Sequence, residues 1–195
     1  SDFYTVARTR EPKLVTKGTG KNKREEQDGW IGSIVPNDLI AERLYTAELA
    51  EIESKQSRVQ EVDVELTELI EAAKIEDSDE YNALYDAIKK NAEDEPQDSF
   101  ENKAVKAELK KAKKGSNEYN LLKKVEGLMT EKSLLGKAII AEEKALKEMI
   151  YERILNLTDE EVDNLVHEKW IGNIVTDSVH LGEIPLKAEI YILDL

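Results

Sequence analysis

Hydrophobic residues recur at alternating spacings of three and four along two long stretches of this chain. The first covers residues 45–73, where seven of nine seam positions are apolar or small, and the second covers residues 117–156, where seven of ten are apolar. Such alternation places one apolar seam along a helix and is typical of coiled coils. The pattern predicts two long helices. Pro36, followed by Asn37 or Asp38 as an N-cap, predicts the start of the first one.

A second apolar row widens the seam of the later stretch, and its members are Leu122, Met129, Ile140, Ile150 and Ile154. Two such helices offer more apolar surface than a single seam buries. Two interpretations stay open: a self-contained antiparallel pair whose polar seam positions lie near solvent, or a pair that also binds a partner helix. The candidate partner-interface residues are Ile52, Val59, Val62, Leu66, Leu69, Val125, Leu128, Leu135, Ile139, Leu146 and Met149.

The segment between the two stretches is highly charged and carries short amphipathic patterns. Residues 76–101 are acidic, whereas residues 103–114 hold six lysines and one glutamate. This composition predicts two short helices of opposite charge near residues 78–113, either solvated and weakly paired or with the lysine helix touching nucleic-acid phosphate. We therefore expect a mainly α fold: a long, coiled-coil-like antiparallel helical hairpin over residues 36–157, with short tip helices and irregular ends.

The phrase Trp-Ile-Gly-X-Ile-Val occurs at residues 30–35 and again at residues 170–175, on either side of the predicted hairpin. Trp30 and Trp170 are expected to be structural anchors at its base, with stacking on a nucleobase as the alternative. Thr158 and Glu161 have the spacing of a capping box, which predicts a short helix ending near His167. Residues 158–195 then comprise this helix, the second Trp anchor and a tail that includes a short strand at residues 188–195.

Charge is distributed unevenly along the chain. The net charge is −14 and the isoelectric point about 4.7, which argues against wholesale binding to nucleic acid or to an acidic membrane. The first 35 residues nevertheless form a basic segment that we expect to be flexible, either a plain soluble segment or a loop near DNA. Its candidate phosphate contacts are Arg8, Arg10, Lys13, Lys17, Lys21, Lys23 and Arg24.

Chemistry-bearing motifs are scarce in this sequence. It contains no cysteine, and its two histidines, His167 and His180, lack the spacing of a metal site on one helix face. The glycines match neither a phosphate-binding loop nor a dinucleotide fingerprint. We predict no catalytic, cofactor-binding or metal-binding residue in this chain. A run of eighteen apolar residues is absent, which predicts no membrane partner and a cytoplasmic location. Because the sequence starts with Ser1, we expect an excised portion of a longer protein.

Several short motifs, in this order, resemble the carboxy-terminal region of the methyltransferase (modification) subunit of type I restriction-modification systems. They are Asp-Gly-Trp at residues 28–30, Ile-Val-Pro-Asn-Asp-Leu-Ile at 34–40, Lys-Ala-Val-Lys at 103–106, Leu-Thr-Asp-Glu-Glu-Val at 157–162 and Lys-Trp at 169–170. The resemblance covers roughly residues 28–175. Beyond Val175 the sequence departs from that family, because an amphipathic helix is replaced by a loop and a strand pattern.

The resemblance implies a non-catalytic assembly role. In that family an upstream domain methylates the N6 of adenine with S-adenosylmethionine, but its Asn-Pro-Pro-aromatic motif has no counterpart here, so no cofactor or catalytic residue transfers to this chain. The carboxy-terminal helices pack against the DNA-specificity subunit, so that subunit is the expected partner and DNA is contacted through the complex. The alternatives are a structural or chaperone-like coiled coil that self-associates, and an independent enzyme, which the missing site disfavours.

Overall fold

The computed structural model describes residues 2–171 and is mainly helical, as predicted. Two compact units are present: unit 1 consists of Ser1–Leu49 with Lys144–Leu195, and unit 2 of Ala50–Glu143. The predicted tail strand at residues 188–195 lies outside the described residues. The helices are α1 (Asp2–Ala7), α2 (Asn37–Leu44), α3 (Thr46–Ala73), α4 (Asp79–Leu84), α5 (Asn102–Lys111), α6 (Asn117–Leu155) and α7 (residues 159–171). The strands are β1 (Arg10–Lys17), β2 (Arg24–Gly32), β3 (Ile88–Lys90) and β4 (Pro96–Phe100).

The amino-terminal segment of unit 1 is regular, which corrects the expectation of an irregular basic segment. Helix α1 precedes an antiparallel hairpin in which Arg10 pairs with Gly32 and Lys17 with Arg24. Gly29 allows β2 to approach α6 closely, because its φ is +86° and an added Cβ would stand 2.1 Å from the Tyr151 hydroxyl. The hairpin was missed because its strands are mostly exposed, so they lack the apolar alternation by which strands are recognised.

Residues 37–73 form two helices, α2 and α3, which corrects the prediction of one uninterrupted helix from Pro36. The backbone leaves helical geometry at Tyr45, with φ −131° and ψ 39°, so α2 ends before α3 begins. Asn37 does not cap α2. Its side-chain oxygen accepts a hydrogen bond from Gly32 N at 3.1 Å and its amide donates to Trp30 O at 2.7 Å, so the residue joins the helix start to the end of β2.

The core of unit 1 collects apolar residues from α2, from the end of α6 and from α7. Ile40, Ile154 and Val162 are completely buried there. Burial of three such side chains stabilises the unit by roughly 1.5–3 kcal/mol each. Both hydrogen bonds of the predicted capping box at the start of α7 are present, since Thr158 N donates to Glu161 Oε2 at 2.9 Å and Glu161 N donates to Thr158 Oγ1 at 3.2 Å.

In unit 2, α3 and α6 lie side by side and run in opposite directions. Lys55 pairs with Glu142, Arg58 with Glu131 and Lys124 with Glu65, so the partner number on α6 falls as the number on α3 rises. Completely buried Val62 on α3 and Leu122 and Val125 on α6 form part of the core between them. The buried seam residues of both helices thus belong to one core of unit 2.

The charged middle of the chain folds as α4, a small β-hairpin and α5, which corrects the prediction of two helices alone. Strands β3 and β4 join through a turn in which Asn91 Oδ1 accepts from the backbone N–H of Glu93 and Glu95, each at 2.9 Å. Such an Asx turn reverses the chain without apolar residues. Ile88 and Phe100 pair across the strands and are buried in the same core as α3 and α6.

Among residues 2–171, no helix combines the length and the hydrophobicity that a bilayer crossing requires.

Candidate partner and nucleic-acid interfaces

Most of the predicted partner-interface stripe is internal to the units. Ile52, Val62, Leu69, Val125, Leu128 and Leu146 are buried, and Val59, Leu66, Leu135 and Ile139 are half-buried. Met149, whose side chain is 37% exposed, is the only exposed member of the stripe. The apolar seam therefore accounts for the contact between helices, and a partner surface has to be sought on other faces.

Charged residues flank and interrupt the seam, and cross-helix ion pairs satisfy them. Arg58 donates from Nε to Glu131 Oε1 at 2.7 Å and from Nη2 to Oε2 at 3.1 Å, a bidentate geometry. The Lys132 ammonium lies 2.5 Å from Asp63 Oδ1. Since only one alignment of α3 and α6 makes these pairs together, they specify the antiparallel register more than they add to stability.

The Arg58 cluster shifts the titration of its members. The hydrogen bond from Arg58 lowers the pKa of Glu131 below its ordinary value, and partial desolvation opposes this effect. Hydrogen bonding to Glu131 and then to Glu61 raises the pKa of the Arg58 guanidinium. Both groups are therefore charged at neutral pH. They act as a structural pair, because neither is held neutral or poised to exchange a proton.

One face of α6 is exposed and almost free of charge. With 3.6 residues per turn, Gly127, Thr130, Ser133, Leu134, Lys137, Ala138, Ile140 and Ala141 share one broad side, which we name the α6 outer face. Leu134 is 61% exposed and Ile140 69% exposed. Lys137 is its single charged residue, although 36% of the whole chain is charged. A shallow groove begins on this face beside Gly127, Thr130 and Leu134.

The exposed side of α3 is chemically different from the α6 outer face. It carries the exposed side chains Glu51, Glu53, Glu61, Glu68 and Glu71. A charged surface of this kind stays solvated. The α6 outer face, in contrast, combines small residues with exposed leucine and isoleucine, which is a surface that a helix can approach closely. Leu134 was not predicted as an interface residue, because this residue lies outside the heptad seam. The scarcity of charge over residues 133–141 was the available signal.

Two of the predicted phosphate contacts are structural residues of unit 1, which corrects their assignment. Arg8 donates from Nε to Leu157 O at 2.5 Å and pairs with Asp159. Arg10 donates to Tyr151 O at 2.7 Å, and its guanidinium lies 4.6 Å from the centre of the Trp30 ring. Arg10 holds the amino-terminal segment against the end of α6 and Arg8 holds it against the start of α7, so these guanidinium groups are not available to phosphate.

The other five basic residues lie on the β1–β2 hairpin and are exposed. Lys17 and Arg24 both pair with Glu26, at 3.0 Å and 2.6 Å. Lys13, Lys21 and Lys23 make no ion pair among the described residues. The five predicted phosphate contacts from Lys13 to Arg24 thus lie on one hairpin with exposed side chains. Arg8 and Arg10 instead bind groups of unit 1.

The two tryptophans have different environments. Trp30 is half-buried beneath Arg10, an arrangement in which the cation lies over the ring face. Trp170 is 67% exposed, which contradicts its assignment as a core anchor. The inward face of α7 is set by Val162 and Leu165, both buried, and Trp170 lies on the helix well away from that face. The rest of the second tryptophan motif, from residue 172, lies outside the described residues.

Sites for small ligands are weak in the described part of the chain. A mixed cleft in unit 2 is lined by Leu66, Ile70 and Phe100 with Asp63 and Asp98 at its edge. Both carboxylates already bind lysines, Lys132 and Lys74 respectively. Residues 2–171 hold no group of three side chains that could bind a metal ion. His167 is exposed on α7.

Comparisons with protein-family models, with curated proteins and with solved structures find no match to this chain.

Proposed function

We propose that this chain is the non-catalytic carboxy-terminal assembly region of a type I restriction-modification DNA adenine-N6 methyltransferase subunit. Its two long helices form a hairpin arm, and the α6 outer face of that arm docks helices of the DNA-specificity subunit. The order of the short motifs over residues 28–175 supports the family. The parent protein would use S-adenosylmethionine in an upstream domain and act in the cytoplasm.

The observation that carries the docking proposal is the exposure of Leu134 and Ile140 on an otherwise highly charged chain. Exposed apolar residues scattered singly need no partner, but Leu134 and Ile140 share one broad side of α6 with the small residues Ala138 and Ala141. A partner helix laid along this face would remove both large side chains from water. Burying each would contribute roughly 1.5–3 kcal/mol to binding.

The test is co-purification of this chain with the DNA-specificity subunit. Leu134→Asp should abolish it, because an unpaired carboxylate buried in an interface costs several kcal/mol and thus orders of magnitude in affinity. The helical content should stay unchanged, since Leu134 is exposed in the free chain. Val64→Asp is the matched control: Val64 is 57% exposed on α3 and should tolerate the same charge without loss of the partner.

Two outcomes would count against this function. Co-purification of the Leu134→Asp variant at wild-type yield would show that the α6 outer face is not the docking surface. If the chain instead forms a dimer that Leu134→Asp converts to a monomer while the specificity subunit does not bind, the self-associating coiled-coil alternative is supported. Light scattering after size-exclusion chromatography measures both states.

The family assignment has an independent test in the coding sequence upstream of Ser1. The proposal expects an Asn-Pro-Pro-aromatic motif in the same reading frame, because the methyltransferase domain precedes this region in that family. A start codon adjacent to Ser1 would contradict the assignment.

A further inference from the structure

The turn of the β1–β2 hairpin has a defined shape. We name residues 17–24 the basic turn: a 3-10 turn at Gly20–Asn22 lies between paired Lys17 and Arg24. Gly18 has φ +92°, and a Cβ added there would lie 2.3 Å from Asn22 O. A side chain at position 18 would therefore both strain the backbone and collide with the opposite side of the turn. Gly18 thus allows the backbone conformation of the turn, which sets the positions of Lys21 and Lys23.

The basic turn and its flank form one of two strongly positive segments of an acidic protein, the other being residues 103–114. Residues 12–24 contain five Lys or Arg and no acidic residue, within a chain of net charge −14. Glu26 on β2 is shared between Lys17 and Arg24 and neutralises one charge. Lys13, Lys21 and Lys23 remain exposed and without an ion pair in the described residues. This concentration attracts polyanions locally, although the whole chain repels them.

The side chains of the turn favour nucleic acid over a membrane as the polyanion. Residues 16–24 contain no apolar side chain that could enter a bilayer, and Thr19 and Asn22 add hydrogen-bonding groups between the lysines. A two-stranded β-ribbon fits the major groove of B-form DNA, whereas the major groove of A-form RNA is too narrow for it. Lys13 on β1, with Lys21 and Lys23 on the turn, would then lie opposite the phosphates that line the groove.

We propose that the basic turn is a binding site for the phosphate backbone of double-stranded DNA, with Lys13, Lys21 and Lys23 as its contacts. The site supplies affinity and no base readout, since lysine contacts to phosphate carry no sequence information. This inference goes beyond the proposed assembly function. It rests on unit 1 residues that are remote in sequence from the α6 outer face, so either proposal can fail without the other.

The test is fluorescence anisotropy of a short labelled DNA duplex titrated with the whole chain. The substitutions Lys13→Gln, Lys21→Gln and Lys23→Gln are combined and compared with Lys103→Gln, Lys106→Gln and Lys110→Gln on α5, which remove the same charge from exposed, unpaired lysines. Three phosphate contacts contribute about 40-fold to the loss of affinity between about 50 and 200 mM salt. The hairpin variant should lose that salt dependence, and the α5 variant should keep it.

The shape of the turn is tested with charge held constant. Gly18→Ala should weaken duplex binding about as far as the hairpin variant does, while Gly20→Ala, where an added Cβ meets nothing within 4 Å, should weaken it less. Equal losses in the hairpin and α5 variants, or no saturable duplex binding at low salt, would overturn the proposal. Lysine-dependent sedimentation with phosphatidylserine vesicles in the absence of duplex binding would overturn it as well, in favour of a lipid surface.

Discussion

Single residues decide how the amino-terminal segment is attached to unit 1. Gly29 is required because the Tyr151 hydroxyl occupies the space of a side chain there. Arg10 is required because it satisfies the carbonyl of Tyr151 and covers Trp30. The two contacts with Tyr151 join residues more than a hundred positions apart in sequence. Among the basic residues near the amino terminus, Arg10 thus has a structural role because it binds Tyr151 and Trp30. Lys13, in contrast, is an exposed charge.

Gly29→Ala should destabilise the chain by roughly 1–3 kcal/mol from backbone strain alone, plus the cost of displacing the buried Tyr151 ring. Gly20→Ala is the control, since that glycine also has a positive φ of +56° but faces open space. Urea unfolding of both variants measures the difference. Equal free energies of unfolding for the two variants would show that the approach of β2 to Tyr151 is not tight.

Arg10→Gln should lower the free energy of unfolding by about 1–3 kcal/mol, because the Tyr151 carbonyl loses a charged donor and the Trp30 ring loses its cover. Lys13→Gln removes the same charge three residues away, where no ion pair is present among the described residues, and should change stability by less than about 0.5 kcal/mol. A thermal melt of each variant checks this. An unchanged free energy of unfolding in Arg10→Gln would show that the contacts of Arg10 with Tyr151 and Trp30 do not stabilise the fold.

The proposed docking surface depends on how helices α3 and α6 are aligned within unit 2. Apolar seam positions bring the helices together, and the cross-helix pair of Arg58 with Glu131 fixes their register. Burial of the seam leaves the α6 outer face as the uncovered apolar surface of that helix. The division between a buried seam and an exposed outer face is the structural basis of the proposed docking.

The Arg58 pair predicts a specific pH dependence. Because the pKa of Glu131 is lower in the folded chain than in the unfolded chain, the pair stabilises fully above the ordinary glutamate pKa of about 4.3 and loses this effect as pH falls through the lower folded value. Glu131→Gln should therefore melt at a lower temperature than wild type at neutral pH, and the gap should close under acid conditions. A gap that persists unchanged at pH about 2 would rule out an ionic origin.

The seam pattern was sufficient to predict two long helices, since the apolar spacing in residues 45–73 and 117–156 is a local property of the sequence. The break at Tyr45 was not predictable, because no proline or glycine marks it. The hairpin β1–β2 depends on tertiary contacts such as Arg10 with Tyr151, which no local pattern reports. For the interface, most residues of the stripe predicted to bind a partner are buried or half-buried, while exposed Leu134, which lies off the seam, was found only in the structure.

At the scale of the whole molecule, the charge distribution assigns different roles to different surfaces. The net charge of −14 keeps most of the chain solvated and away from polyanions. Three regions depart from this pattern: the α6 outer face with one charge, the basic turn with no acid, and the lysine-rich residues 103–114. The first suits a protein helix and the second suits phosphate. An assembly region of a DNA-modifying complex needs both kinds of surface, which is why the two proposals are compatible.

The chain on its own should not bind S-adenosylmethionine, because neither a glycine-rich cofactor loop nor an Asn-Pro-Pro-aromatic motif is present in its sequence. Isothermal titration calorimetry with the cofactor checks this, with an intact modification subunit as the positive control. A saturable site at micromolar cofactor would contradict the assignment as a non-catalytic region and would support the independent-enzyme alternative.

Photo-crosslinking measures directly whether the α6 outer face contacts the DNA-specificity subunit. A benzoylphenylalanine placed at position 134 in the complex with the DNA-specificity subunit should form a covalent adduct with that subunit on irradiation. The same probe at position 64, on the exposed side of α3, should form none. Adducts from position 64 alone, or an intact complex that gives no adduct from position 134, would contradict docking of the DNA-specificity subunit on the α6 outer face.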